Sequence, residues 1–385
     1  MRMAGTRCTE AAGPGAECQA PELELENCTL KFGTPVLSFE PGSSDAPHMN
    51  SPLGGIALVL IAGLIGGSVL APMKLVRTWK WDHAWMFYVC NAYFLFPWLV
   101  AFLTVPRLLT VYPAAGGKIV LATASFGMFW GLSLALYGIA FDIVGMSLTN
   151  GIILGSSVAL GSLLPLLFVP ASRRGLGHSL EIAGADAIML AGVLMCTFAG
   201  DMREKIQSHA VTRARDPRFR KGLALCILAG VMSTAFNLAL VVGQPIAHIA
   251  ERLGAPPLYA SNAIWSLSVG TGALPSIFLG ARKITRAGAW SGFSEGRAFY
   301  NGALCVFMGT LWIGGTVLYG SSVKILGTYG AVIGWPIYMS AMIIASTIWG
   351  WIIGEWKHVK GLPVVLMVGG IAVQILAMVL LGRFQ

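Results

Sequence analysis

From residue 51 onward the chain alternates long apolar stretches with short polar ones, and nowhere shows the two-residue alternation of a half-buried strand. Ten stretches stand out, at 54–76, 85–105, 118–140, 145–169, 180–200, 221–243, 259–280, 299–320, 329–353 and 361–382. Each reaches the roughly 20 mostly apolar residues that a helix needs to cross the hydrocarbon core. A segment in lipid must satisfy its own backbone, which leaves helices or a closed barrel, and continuous apolar runs exclude the barrel. The pattern predicts an all-α integral membrane protein with ten transmembrane helices.

The pattern also repeats. Gly55 to Gly63 returns as Gly222 to Gly230, an offset of 167, and Trp130, Tyr137, Gly138 and Gly145 return as Trp312, Tyr319, Gly320 and Gly327, an offset of 182. The difference, 182 − 167 = 15 residues, is what one longer loop in the second half produces. The chain divides into a first five-helix repeat (51–200), a basic cytoplasmic linker (201–220) and a second five-helix repeat (221–385). Five is odd, so the second copy enters the membrane from the opposite face and the halves are inverted. Two such halves exchange shapes to open a midplane site to either side, the logic of a secondary transporter.

Composition agrees: 56% of residues are apolar and 11% charged, against about 25% charged in soluble domains. Residues 1–50 hold seven acidic and three basic residues and no apolar run. They read as a disordered acidic leader, with a start at Met49 as the alternative. They lack the basic start and apolar core of a signal peptide. Cys8, Cys18 and Cys28 have neither a CxxC pair nor a His cluster beside them, so no metal is expected. Cys90, Cys196, Cys226 and Cys305 stand alone in apolar spans as small hydrophobes.

Net charge is +9 overall and −4 for 1–50, leaving +13 on the membrane part. That charge lies in short loops and makes no case for nucleic acid. Loops after helices 1, 3, 5, 7 and 9 carry sixteen Lys and Arg, and the opposite side seven. The positive-inside bias therefore places the first set in the cytoplasm and both termini in the periplasm.

Small residues every fourth position, Gly63 and Gly67 in helix 1 and Gly151, Gly155 and Ala159 in helix 4, permit close helix approach. Pro336 removes a backbone donor in helix 9 and predicts a kink near mid-membrane. Polar and aromatic side chains inside the spans narrow the ligand. Asn91, Trp130, Tyr137, Asn150, Asn262, Trp265, Trp312, Tyr319 and Trp335 are expected to approach the substrate path. Amides bond hydroxyls and Trp or Tyr faces cover a sugar ring, so the mixture suits a small sugar. The competing reading of any single member is interhelical packing. Trp81, Tyr259 and Trp356, near span ends, read as interface anchors.

Ionisable groups are costly at mid-membrane, and none of Asp, Glu, Lys or Arg stands clearly there. Asp186, about two turns into helix 5, is the deepest acid. Asp142 and Lys324 share the 182 offset and are expected in turns between helices; Asp142 is the proton-coupling candidate.

Several segments carry a family likeness: Ala71-Pro72-Met73-Lys74 with Trp79-Lys80-Trp81, Trp130-Gly131 through Tyr137-Gly138, the Gly-rich helix from Leu148, Pro257-Leu258-Tyr259, and Gly354-Glu355-Trp356. Together, in order over 54–382, they resemble the L-rhamnose–proton symporter family of the drug/metabolite transporter superfamily. The resemblance implies sugar uptake driven by protons at the bacterial inner membrane. No cofactor is expected, and the protein is expected as a monomer or a homodimer. The resemblance also implies that helices 1–4 and 6–9 surround the path while 5 and 10 lie outside, which would make Asp186 peripheral. Aliphatic residues at Ile152 to Leu154 and Val332 to Ile333 leave a related sugar or polyol open as substrate. A broad drug or metabolite exporter of the same fold is the alternative. A membrane enzyme is the remote one, because the six His are isolated and Asp82-His83 is the only adjacent acid–His pair. Chemistry of that kind needs clustered acids and bases.

Overall fold

The computed structural model describes residues 51–169, 176–208 and 217–383. The leader 1–50, with its three cysteines and Met49, lies outside the described residues. The described chain is helical, and its long helices follow the ten apolar stretches: α1 (Pro52–Ser68), α2 (Trp81–Thr104), α3 (Gly117–Val144), α4 (Met146–Leu163) and α5 (Leu176–Ser208) in the first part. In the second are α6 (Phe219–Arg252), α7 (Asn262–Arg286), α8 (Ala298–Leu326), α9 (Gly330–Ile352) and α10 (Leu362–Gly382). Together α8 and α9 form an apolar run of 55 residues, about 80 Å if continuous. That is far too long for one crossing of a core about 30 Å thick. Gly327 breaks it with φ +67°, a conformation glycine adopts without a Cβ clash. Gly145, its counterpart at the 182 offset, has φ +99° and joins α3 to α4. The repeated glycine therefore has the same task in both halves, a tight helix-to-helix turn.

The helices depart from the apolar spans mainly at their ends, where membrane hydropathy stops being informative. α5 continues to Ser208, so the first part of the 201–220 linker is helical, and a helix resumes at Pro217. α6 runs past the expected 243 through a further helical piece, Gln244–Arg252. A short helix, Leu108–Ala115, precedes α3. Asp142 and Lys324, expected in turns, belong to the last turns of α3 and α8, because Gly145 and Gly327 delay the helix ends. A π-helical turn, Cys90–Leu95, interrupts α2; such turns re-aim the side chains around them.

Packing fixes how these helices are used. α1 lies against α8 and α9, α3 against α6 and α7, α4 against α5 and α6, and α5 against α10. Contacts are closest where glycine removes the side chain. A Cβ on Gly131 would stand 1.9 Å from the Gly272 carbonyl oxygen of α7, and one on Gly127 would stand 1.9 Å from that of Ser268. On α1, a Cβ at Gly67 would stand 2.2 Å from the Met342 carbonyl oxygen. The expected small-residue faces of α1 and α4 serve packing, with Gly63 and Gly67 on α9 and Gly151 on Thr197 of α5.

Gly131→Ala is expected to lower stability by about 2 kcal/mol, because the new methyl meets backbone that cannot rotate aside. Gly314→Ala, where a Cβ would meet nothing within 4 Å, should be neutral or slightly stabilising through helix propensity. Thermal unfolding of the detergent-purified variants compares the two.

Candidate functional site

Six helices bring aromatic rings to one place in the bundle. Trp130 of α3 and Trp312 of α8, the pair related by the sequence repeat, stack with centroids 6.0 Å apart and planes at 28°. Tyr93 of α2 touches both, at 5.2 Å from Trp130 and 4.7 Å from Trp312. Phe236 of α6 stacks on Trp265 of α7 at 4.7 Å and reaches Trp130 and Trp335. Tyr319 of α8 closes the group against Trp335 and Tyr338 of α9, at 5.8 and 4.8 Å. Trp265 and Trp335 are each 1% exposed and Tyr319 is fully buried. The rings therefore fill the centre in this conformation.

Neutral hydrogen bonds orient the rings. Asn237, one residue after Phe236, accepts the Tyr319 hydroxyl proton at 2.7 Å. Its amide donates to the Gly161 and Ala331 carbonyls, at 2.8 and 2.9 Å, so one side chain ties α4, α6, α8 and α9 together. The Trp335 indole N–H donates to the Ser157 carbonyl at 2.8 Å. Two polar atoms are left over. Ser261 Oγ, at the residue before α7, and Trp265 Nε1, one turn on, both lie against Gly320 of α8, where a Cβ would meet them at 2.4 and 2.8 Å. Both are buried without a hydrogen-bond partner. Buried polar atoms are nearly always paired, so these two stand out beside the aromatic cluster.

Of the sequence candidates, Trp130, Trp265, Trp312, Tyr319 and Trp335 thus come together. Asn262 sits one turn before Trp265, donating to Thr104 Oγ1 at 2.9 Å, with its own Oδ1 unpartnered. The others lie elsewhere. Asn91 donates at 2.7 Å to the Phe87 carbonyl of its own helix. Tyr137 donates to Asn150 at 2.8 Å, in a separate apolar cluster with Ala140, Ile153, Cys226 and Ala229. Pro336 stands inside α9, which runs through it as helix. For Asp142 the structure describes the helix position, and its side chain lies outside the described residues. Tyr93, Phe236, Asn237 and Tyr338 join the group without having been singled out for the path. Asn237 and Tyr338 are visible in sequence as polar and aromatic residues in apolar spans, but helix rotation decides whether they face inward.

At the basic end of the bundle the chain is clasped shut by charge. Glu355, after α9, binds Lys74, which follows α1, and Arg203 of α5 at 2.6 Å. The Glu355 carbonyl accepts from Gln207 at 2.6 Å. Arg203 also lies 5.3 Å over the Trp356 ring, which is 9% exposed. Trp356 is therefore part of this clasp and not an interface anchor, whereas Trp81 and Tyr259 are exposed as expected. Nearby, Lys283 pairs with Asp82 at 2.8 Å. Partial burial alone would raise the Glu355 carboxyl. Hydrogen bonds and charge from Lys74 and Arg203 outweigh it and hold the group below its ordinary value.

Two predictions follow from this geometry. Asn237→Leu leaves the buried Tyr319 hydroxyl without its acceptor and should cost about 1–2 kcal/mol. Adding Tyr319→Phe should recover part of that loss, a coupling that a double-mutant thermal-unfolding cycle reads. For Glu355 the folded value is depressed, so its contribution is complete above the unfolded carboxylate value and lost as pH falls through the folded one. The thermal midpoint of Glu355→Gln should therefore lie below wild type at neutral pH. The difference should close only in acid below the ordinary carboxylate range.

Known proteins place this architecture. The family described as "L-rhamnose-proton symport protein" matches residues 49–384. An L-rhamnose-proton symporter of Mannheimia succiniciproducens is 27% identical over 344 residues, spanning 86% of this chain and 98% of the relative. Those of Cronobacter sakazakii and Escherichia coli are 26% and 25% identical, each over 85% of this chain and 96% of the relative. A match running from before α1 to past α10 covers every helix that builds the aromatic cluster, and the chain belongs to the L-rhamnose–proton symporter family.

Proposed function

We propose that the protein takes up L-rhamnose or a closely related sugar together with protons, by alternating access, in the inner membrane of a bacterium. The observation that carries the reading is the ring cluster with its orphan donors. Its described hydrogen-bonding groups, Tyr319, Asn237, Ser261 and the Trp265 and Trp335 indoles, are all neutral. A cage for an organic cation would set a carboxylate against the rings to gain charge as well as cation–π attraction. A neutral cage offers flat apolar faces and hydroxyl-directed hydrogen bonds, which suit a deoxysugar with one apolar edge and several hydroxyls. Sites built to bond hydroxyls reject ligands lacking them, because their buried groups are then left unpaired.

Alternating access is supported by the repeat. Trp130 and Trp312 are equivalent positions in direct contact, as residues beside a twofold axis must be. Gly145 and Gly327 make equivalent turns. Contacts of α1 with α8 and α9 are mirrored by those of α6 with α3 and α4. We take the halves as inverted repeats, with the Glu355 clasp on the cytoplasmic side and both termini periplasmic, consistent with the excess of Lys and Arg on that side.

The test is uptake of labelled L-rhamnose into vesicles holding the purified protein. An inward proton gradient should drive accumulation, and an uncoupler should abolish it. Trp312→Ala should raise the half-saturating concentration about tenfold, the equivalent of about 1.4 kcal/mol of lost stacking. Trp81→Ala, on the exposed surface, should leave it unchanged. Absence of uptake by the folded wild type, with resistance to unrelated compounds on overexpression, would favour the exporter reading. Asp142→Asn in the same assay tests the coupling candidate read from the sequence.

A further inference from the structure

Asp186 is the most deeply buried acid among the described residues, at 2% exposure, and neither carboxyl oxygen has a hydrogen-bond partner. It sits on α5, which packs against α10, α4 and α9. None of those three helices carries an Asp, Glu, Lys, Arg or His within its span. On α5 itself the nearest acid, Glu181, is exposed. Among the described side chains, no counter-charge on these packed elements faces Asp186. An isolated carboxylate in such surroundings is too costly to persist, and the group stays in place by holding a proton. The family resemblance would make this residue peripheral; its burial against α4 does the opposite.

The Ser162 hydroxyl of α4 lies beside the carboxyl without closing a hydrogen bond to it in this conformation. That hydroxyl gives its own proton to the Val332 carbonyl of α9 at 2.8 Å. Val332 is four residues before Pro336, and proline removes the N–H that would otherwise bond that carbonyl. Ser162 thus supplies the bond that Pro336 withholds. Immediately beyond, α9 presents Trp335 and Tyr338 to the ring cluster.

We propose that Asp186 carries the coupled proton and that Ser162 transmits its charge state to α9. This rests on the proton-symport reading. With Asp186 protonated, the carboxyl makes no demand on Ser162, whose hydroxyl stays bonded to Val332 as in this conformation. When the proton leaves to water, the carboxylate needs a donor, and the Ser162 hydroxyl turns to it. A hydroxyl has one proton and cannot serve both acceptors. The Val332 carbonyl is then released at the weakest point of α9, and the helix that walls the sugar site is free to shift. No covalent bond changes; one proton moves between the Asp186 carboxyl and water.

The experiment uses the full-length protein in vesicles and compares wild type with Asp186→Asn, Ser162→Ala and Asp142→Asn. Two readings are taken, gradient-driven L-rhamnose accumulation and gradient-free exchange of labelled for unlabelled sugar. Asp186→Asn, near-isosteric and permanently neutral, should keep exchange and lose accumulation to the equilibrium level. Ser162→Ala, which removes the link to the Val332 carbonyl, should keep exchange and lower accumulation; accumulation equal to wild type would overturn the part given to Ser162. Accumulation by Asp186→Asn equal to wild type overturns the proposal, as does its loss in Asp142→Asn alone. Infrared spectra of the purified protein give a reading that needs neither sugar nor a folded variant. Wild type at neutral pH should show the carbonyl stretch of a protonated carboxyl, and its absence overturns the proposal. If wild type shows that band but moves no L-rhamnose, the substrate reading fails and the proton site stands.

Discussion

Inside lipid the hydrophobic effect does not hold one apolar helix to another, so association depends on close packing and on a few interhelical hydrogen bonds. In this bundle both requirements meet at glycine. Gly127 and Gly131 bring α3 onto the backbone of α7, and Gly67 brings α1 onto that of α9. The bare Gly320 lets Ser261 and Trp265 crowd against α8. Had these positions carried side chains, α3, α7 and α8 would stand too far apart for Trp130, Trp265 and Trp312 to share one cluster. Close backbone approach is thus the condition for the aromatic site as well as for the fold.

Polar groups take up what packing leaves open. Asn237 is a single amide with three described bonds across four helices. That concentration explains how a bundle with so few charged residues inside holds one arrangement of rings. Ser162 has a comparable part on α9, where it bonds the carbonyl that proline leaves exposed. The described ion pairs lie toward the ends, with the Glu355 clasp at one and Lys324 with Glu251 at 2.7 Å toward the other. Such surface pairs contribute little to stability individually.

A sugar carrier must exclude water while enclosing a ligand that is itself much like water in its hydrogen bonding. In the proposed reading, indole and phenol rings do the first and the unpartnered Ser261 and Trp265 donors supply the second. The proton proposed at Asp186, outside the ring cluster, would keep charge away from the sugar. It still bears on the same helix that carries Trp335.

How much of this was legible beforehand follows from the range of the physics involved. The helical class and the long apolar helices were readable because lipid imposes one rule on every residue of a span, and that rule appears as local composition. The repeated Trp130 and Trp312 were visible too, since a repeat needs no geometry. Helix rotation was not readable, because spans apolar on every side have no stripe to show which face turns inward. That is why Asn91, Tyr137 and Asn150 looked as suitable for the path as Trp265 did, and why Tyr93 and Phe236 went unmarked. Only the packed structure decided that Asp186 would be buried away from every described counter-charge, and that Ser162 would meet the carbonyl freed by Pro336. Those are contacts between helices far apart in sequence, set by which glycine faces which backbone.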